Sequence, residues 1–155
     1  MKTTVVIGLI GTVLDKKKSA SRWSKWRPTV SIFTQEDLQV DRMELLGEAR
    51  FTRIMERVAK DIKVVSPHTV VNTHHYESLN PWDFQEMYGA LYDFAKAYPF
   101  DPENEEYLIH ITTGTHVAQI CLFLLAESKI IPGKLLQTSP RRSEEGDQLG
   151  SYDII

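Results

Sequence analysis

The stretch Tyr107–Ser128, YLIHITTGTHVAQICLFLLAES, decides the fold. Its opening, Tyr107 to Thr113 (YLIHITT), is rich in β-branched residues and reads as a strand. Gly114 follows, and Val117 to Ile131 (VAQICLFLLAESKII) is almost wholly apolar until Pro132-Gly133 stops it. A helix this apolar packs on a sheet and is expected to be mostly buried. A strand that passes through a glycine directly into such a helix is the unit from which parallel α/β sheets are built.

Units of the same kind extend in both directions. Thr3 to Ile10 carries β-branched residues on both faces, as a central parallel strand does, and stops at Gly11-Thr12. Asp15 to Pro28 is polar and irregular, and Thr29 to Thr34 (TVSIFT) reads as a second strand. The pattern then predicts a long helix from about Asp41 to Lys63, with Phe51, Ile54, Met55, Val58 and Ile62 on one face. Ser66-Pro67 ends it. Thr69 to Glu77 reads as a third strand. Asn80-Pro81 is expected to open a helix as N-cap and first-turn proline, with Asp83 in the first turn. Phe84, Met87, Tyr88, Leu91, Ala95 and Tyr98 would be that helix's buried stripe. The acidic turn Asp101–Glu106 is expected to be a solvated loop, Tyr107 to Thr113 the fourth strand, and Lys134 to Thr138 a fifth. Past Ser139-Pro140 the run RRSEEGDQLG has the composition of a linker, and Tyr152 to Ile155 suits a short edge strand. The expected architecture is a Rossmann-like three-layer α/β sandwich with a mostly parallel sheet of about five or six strands. Residues 1–139 would form the domain, and 140–155 the linker and edge strand.

Composition narrows the function. At 155 residues the chain suits one domain, able to bury about two-thirds of its unfolded surface. A net charge of −3 excludes coating of nucleic acid by bulk charge, so polyanion binding would need a local patch. Cys121 is the only cysteine, which excludes an internal disulfide and a multi-cysteine zinc site. The N-terminal MKTTVVIGLIGTVLDKKK has a lysine before an apolar run, as a signal peptide does. The run is short, is broken by Gly8 and Gly11, and ends in Asp-Lys-Lys-Lys, so we read it as a buried strand. No apolar stretch reaches the roughly 20 residues that span a bilayer. A cytoplasmic address, no membrane contact and no cofactor or metal are expected.

In an open α/β sheet, ligands bind beyond the carboxyl ends of the strands. Two loops stand there: Gly11, Thr12, Val13 and Leu14, and Thr112, Thr113, Gly114, Thr115 and His116. The second suits an anion. Glycine admits close backbone approach, the helix start offers free N–H groups, and the threonine hydroxyls can donate to phosphate or ribose. His116 lies in the first helical turn, with Gln119 one turn along. The alternative is that the threonines only cap the helix and the glycine only makes a tight turn. The loop is neither a Walker A motif nor a three-glycine dinucleotide fingerprint, which argues against an ATPase or an NAD-dependent enzyme. A second feature spans residues 16–27: six basic side chains and no acidic one, among them Arg22, Lys25 and Arg27, interleaved with Trp23 and Trp26. Cations meet phosphates and indoles stack on bases, so this pattern suits RNA or nucleotides. Its alternative is a solvated loop with one or both tryptophans packed on the sheet edge. His74 and His75 point to opposite faces of a strand, wrong for joint metal binding. His110 reads as a satisfied core histidine and Cys121 as a buried thiol, and no carboxylate pair stands out.

Trp23–Thr29 (WSKWRPT), Asn80–Phe84 (NPWDF) and Tyr107–Ser128, with GLIGTVLD (Gly8–Asp15) and DRMELL (Asp41–Leu46), resemble the N-terminal domain of the RtcR family. These are sigma-54-dependent transcriptional activators of a bacterial RNA-repair operon. The region resembles a CARF (CRISPR-associated Rossmann fold) domain, a dimeric sensor of cyclic oligoadenylates or related RNA-derived ligands. The resemblance implies a ligand at the loops after the first and fourth strands, here Gly11–Leu14 and Thr112–His116. It further implies a signal such as an RNA fragment with a 2′,3′-cyclic phosphate end, or a cyclic or linear oligonucleotide. That signal would relieve restraint on an adjoining AAA+ ATPase. This chain holds no Walker A motif and no DNA-binding helix-turn-helix, so the AAA+ and DNA-binding domains would lie outside it. Lys16–Ser21 looks like a variable part of the family's loop. Two alternatives stand beside the sensor. One is a ring nuclease cleaving bound cyclic oligoadenylate with His116 as acid or base, and the other a dimerisation module with a vestigial pocket. No lysine follows the TTGT loop, which weighs against the nuclease.

Overall fold

Thr3–Leu9, with its run of valine, isoleucine and leucine, and the more mixed Arg42–Glu48 and Glu105–His110 form strands buried on both faces, and these make the centre of a six-stranded sheet. The computed structural model describes residues 1–13, 15–16, 18–77, 80–140 and 150–155. We number the strands β1 (Thr3–Leu9), β2 (Arg42–Glu48), β3 (Val70–Tyr76), β4 (Glu105–His110), β5 (Gly133–Ser139) and β6 (Ser151–Ile154). Their order across the sheet is β3-β2-β1-β4-β5-β6, with β6 antiparallel to β5 and every other pairing parallel. The α/β sandwich expected from the alternation of elements is the one found.

The helices are α1 (Pro28–Ser31), α2 (Thr52–Val65), α3 (Phe84–Ala97) and α4 (His116–Glu127). Side chains alternate across the strands and feed two cores. Val5, Ile7, Leu9, Tyr107 and Ile109 pack against Met87, Leu91, Cys121, Leu122 and Leu125 of α3 and α4. Val6, Met43, Leu45, Leu108 and Leu136 pack against Val30, Met55, Val58 and Ile62 of α1 and α2.

Four expectations need correction. Residues 41–48, assigned to a long helix, form β2, and the helix begins only at Thr52. Leu45 and Leu46 are both buried, on opposite faces, a pattern that periodicity cannot tell from a helix. Residues 29–34, expected as a strand, form α1 and a 3-10 turn. Pro28 occupies the first turn of α1, and the Asp15 carboxylate accepts the Thr29 N–H at 3.2 Å, a cap supplied from thirteen residues before Pro28. The α3 cap is Asp83, whose carboxylate accepts the Glu86 N–H at 3.0 Å, while Asn80 holds the Trp82 N–H in a preceding turn. Phe84 therefore stands at the solvent-facing start of the helix, 47% exposed. Finally, α4 is not mostly buried: Ile120, Phe123 and Leu124 form an exposed apolar stripe. The acidic turn is solvated as expected at residues 101–104, while Glu105, the first residue of β4, meets Arg42 at 2.6 Å and accepts the Tyr107 hydroxyl at 2.7 Å. Of the expected linker, residues 141–149 lie outside the described residues.

His110, on the same face of β4 as Leu108, is fully buried. Its Nε2 lies 2.8 Å from Thr138 Oγ1, and its Nδ1 has no hydrogen-bond partner among the described residues. Burial pushes its pKa from 6.5 down to about 3. The folded state therefore holds a neutral imidazole where the unfolded chain would bind a proton below pH 6.5. That contribution to stability is complete above the unfolded pKa and declines by about 1.4 kcal/mol per pH unit on acidification toward the folded one. Urea midpoints at about pH 7 and pH 5 should show a smaller acid loss in His110→Gln than in the parent. Equal losses would mean that His110 is not the proton-refusing group.

Candidate functional site

The sheet's connections leave β1 and β4 in opposite directions, β1 toward β2 and β4 toward β5, so a crevice opens at their carboxyl ends. A cleft of about 270 Å³ lies there, lined by Gly11, Thr12, Val13, Pro28, Trp82, Thr112, Thr113, Gly114 and Thr115. The two loops singled out in the sequence thus meet in one cavity. Leu14 lies outside the described residues.

The threonine hydroxyls are largely committed to the fold. Thr113 Oγ1 donates to the Leu9 carbonyl at 2.6 Å, tying the β4 loop to the end of β1. Thr112 Oγ1 donates to the Thr138 carbonyl at 3.2 Å and accepts the Thr138 N–H at 2.8 Å. Thr115 is the N-cap of α4: its hydroxyl accepts from Ala118 N–H at 3.1 Å and donates to the Pro81 carbonyl at 2.9 Å. Gln119 reaches back from α4, its amide donating to the Thr112 and Gly114 carbonyls at 3.3 and 3.2 Å. Gly114 has φ +90°, and a Cβ there would stand 3.2 Å from both Ala118 Cβ and Leu9 Cδ1. Only glycine takes this turn without strain. What the loop can offer a ligand is therefore main chain: the first-turn N–H groups of His116 and Val117, which the helix itself leaves unpaired, at the positive end of α4. The exposed His116 side chain stands beside them.

Among the described residues, none of the basic segment lines this cleft. Arg22 pairs with Asp61 of α2 at 2.8 Å, and Arg27, 2% exposed, donates to the same carboxylate at 2.6 Å. The Trp23 ring lies against both guanidiniums, at 5.4 and 5.0 Å, and the Trp26 indole packs on Gly150 at the head of β6. Arg22, Trp23, Lys25 and Arg27 instead line a separate cavity of about 120 Å³ with Val30, Ser31, Thr34 and Val65. Among the described residues the basic segment and the glycine loops line separate cavities, and Arg27 is placed as a structural cation. Burial works against ionisation at Asp61, but the two arginine hydrogen bonds outweigh it and hold the carboxyl below its usual range.

Two cleft residues escaped the sequence reading of the site. Trp82, 63% exposed, supplies an indole on one wall. Its signal was the NPWDF turn, which carries an exposed aromatic just before a helix. Pro28, at the start of α1, supplies part of another. Behind them, Asp15 is fully buried and holds Gly11 and Thr29 by hydrogen bonds. Burial pushes its carboxyl above the usual range, while donation from Thr29 and Gly11 pulls it back.

The arginine arrangement is testable through stability. Asp61→Ala leaves Arg27 buried without its partner and should cost about 3–5 kcal/mol. Arg22→Ala, which removes a partly exposed partner and leaves Arg27 in place, should cost much less. Denaturant titration of the two variants makes the comparison, and equal costs would contradict it.

Comparison with known proteins gives the family and the fold class. The family model described as "Regulator of RNA terminal phosphate cyclase", RtcR, matches residues 2–155. The Transcriptional regulatory protein RtcR of Escherichia coli (strain K12) is 54% identical over 146 residues, covering 94% of this chain and 27% of the relative. The chain thus spans about a quarter of that relative's length. Among solved structures, Enterococcus italicus Csm6 bound to cyclic hexa-2′-fluoro-hexa-dAMP superposes with a TM-score of 0.68 at 14% identity, covering 88% of this chain and 33% of that one. Can2 from Sulfobacillus thermosulfidooxidans in complex with cyclic tetra-adenylate gives 0.56 at 12% identity, over 88% and 32%. Protein VC1899 from Vibrio cholerae gives 0.61 at 12% identity, over 88% and 31%. At these identities the likeness establishes a shared CARF-type, Rossmann-like fold. The family match along nearly the whole chain, with 54% identity to a member, places this protein in the RtcR family of regulators of RNA terminal phosphate cyclase.

Proposed function

We propose that this chain is the sensory domain of a transcriptional regulator of RNA repair, and that the β1–β4 cleft binds its signal. The observation that carries the reading is the cleft itself: two strand-end loops, a capped helix N-terminus and an exposed indole face one cavity. Main-chain N–H groups suit a phosphate, and Trp82 suits a base stacked beside it. The ligand class is an RNA-derived phosphodiester, either an RNA end bearing a 2′,3′-cyclic phosphate or a cyclic oligoadenylate. Two proteins of the same fold, Csm6 and Can2, are named as complexes with cyclic adenylates, which supports this class. In a longer cytoplasmic protein, occupancy of the cleft would relieve restraint on an adjoining AAA+ ATPase. A ligand does so only by preferring one of two states.

The exposed apolar stripe of α4, Ile120, Phe123 and Leu124, adjoins α3, where Phe84, Tyr88 and Tyr92 stack in sequence at 5.8 and 6.1 Å. We assign this face to a homodimer, which would set two clefts side by side for a symmetric ligand. The domain binds and does not cleave in this reading, because the hydroxyls of the β4 loop are held by the fold and, among the described residues lining or flanking the cleft, His116 is the one exposed acid–base group. Accumulation of linear product from a cyclic oligoadenylate would overturn that part.

The test is calorimetric titration with cyclic oligoadenylates and with short RNAs ending in 2′,3′-cyclic phosphate or 3′-hydroxyl. Thr113→Val and Thr115→Val are poor probes, since each removes a hydrogen bond of the fold. Trp82→Ala is the clean one, with a loss of about 1–3 kcal/mol in binding, roughly five- to 150-fold in affinity, and an unchanged melting temperature. Lys25→Glu, at the separate basic cavity, should leave affinity unaltered. The reverse result, sensitivity at Lys25 and none at Trp82, would move the ligand to the basic segment.

A further inference from the structure

Asp15 lies just beyond the cleft loop and lines none of the cavity, yet its carboxylate accepts three hydrogen bonds. The Gly11 N–H donates at 2.8 Å, the Thr29 N–H at 3.2 Å and the Thr29 hydroxyl at 2.6 Å. The first ties Gly11 to Asp15, and the other two fasten Asp15 to the start of α1. Gly11 fills the space between the two sides of the crevice: a Cβ there would stand 2.7 Å from Asp15 Oδ2 and 3.3 Å from Thr113 Cγ2. Thr113 in turn holds the end of β1 through the Leu9 carbonyl. Gly11, Thr12, Val13 and Pro28, one wall of the cleft, are thus braced from behind by one buried side chain.

We propose that Asp15 is a positioning residue for ligand recognition, holding the Gly11–Val13 wall in its receiving shape through the Gly11 and Thr29 hydrogen bonds. The proposal rests on the reading of the cleft as the ligand site. Its chemistry requires a carboxylate. Three donors converge on two oxygens, and a carboxyl group is the side chain that presents an acceptor on each. Asparagine would keep one acceptor and turn an NH2 group toward a donor, so at least one bond is lost and a donor is stranded. Gly11 cannot compensate with a side chain of its own, because none fits.

Amide hydrogen exchange on the whole chain tests the brace without a ligand. In Asp15→Asn, protection of the Gly11 amide should fall at least tenfold, while amides of β1 such as Val6 stay within about twofold of the parent. Affinity for an RNA ending in 2′,3′-cyclic phosphate should fall at least tenfold in the same variant. Thr29→Val, which removes one donor and keeps the Gly11 bond, should show a smaller loss in both readouts, and Thr29→Ser should restore them. If Asp15→Asn does not fold, the Thr29 pair carries the test. Unchanged Gly11 protection, or a loss spread evenly over β1, would overturn the proposal, as would undiminished RNA affinity in a variant whose Gly11 amide is exposed. A parent protein that binds no RNA, but loses Gly11 protection in Asp15→Asn, would overturn the ligand reading and leave the loop brace standing.

Discussion

Parallel strands β1 and β4 lie side by side at the centre of the sheet, paired from Thr3–Glu105 to Gly8–His110, and their connections depart to opposite sides. Packing cannot close the crevice this leaves, because each chain must cross over its own half of the sheet. The molecule instead lines it. The β1 loop is pinned by Asp15, the β4 loop by Thr113 and Gln119, and the α3 entry by the bond from Thr115 to the Pro81 carbonyl. Two of these pins, Thr113 to the Leu9 carbonyl and Thr115 to the Pro81 carbonyl, join segments distant in sequence, so the cavity's shape depends on the fold as well as on its loops.

That arrangement divides labour between side chains and backbone. Buried hydroxyls and carboxylates that lack partners cost free energy, so those near the crevice are taken up by the protein. Thr112, Thr113, Thr115 and Asp15 all serve this way. What remains for a ligand is the start of α4, the exposed Trp82 ring and the exposed His116 side chain. Recognition built on fixed N–H groups requires little rearrangement on binding, and it suits a phosphate whose geometry is invariant. The cationic residues are used elsewhere: Arg22 and Arg27 lock the segment before α1 onto Asp61, a buried pair that sets the position of Pro28 and Thr29.

How much of this was legible in the sequence varies with the range of the interaction. The strand–glycine–helix junction at Tyr107–Glu127 is local, and its reading gave the α/β class and the β4 loop correctly. The β1 loop was legible for the same reason. The Arg42–Glu48 strand was not. Its buried Glu44 looks like a helix-surface residue until Asn72 and His74 of β3 are seen donating to it at 2.7 Å each. Thr29–Thr34 failed similarly, since its helical start is capped by Asp15 across the loop. The basic, tryptophan-bearing run suggested an RNA contact because its neutralising partner, Asp61, lies far along the chain on α2. In the α4 stretch the sequence showed apolarity but not which side of it would lie open; three-dimensional placement leaves Ile120, Phe123 and Leu124 outward. The resemblance to the RtcR family, carried by the Tyr107–Ser128 run and the NPWDF turn, is shown by the family match over residues 2–155.

The most direct measurement of the central claim is amide chemical-shift mapping of the isotope-labelled chain during titration with an RNA ending in 2′,3′-cyclic phosphate and, separately, with a cyclic oligoadenylate. The expected result is that the largest shifts fall on Gly11, Thr12, Gly114, His116, Val117 and the Trp82 indole N–H, with Trp23 and Lys25 still. Shifts centred on Trp23 and Lys25, with the β1 and β4 loops unmoved, would contradict the account and place recognition in the basic segment.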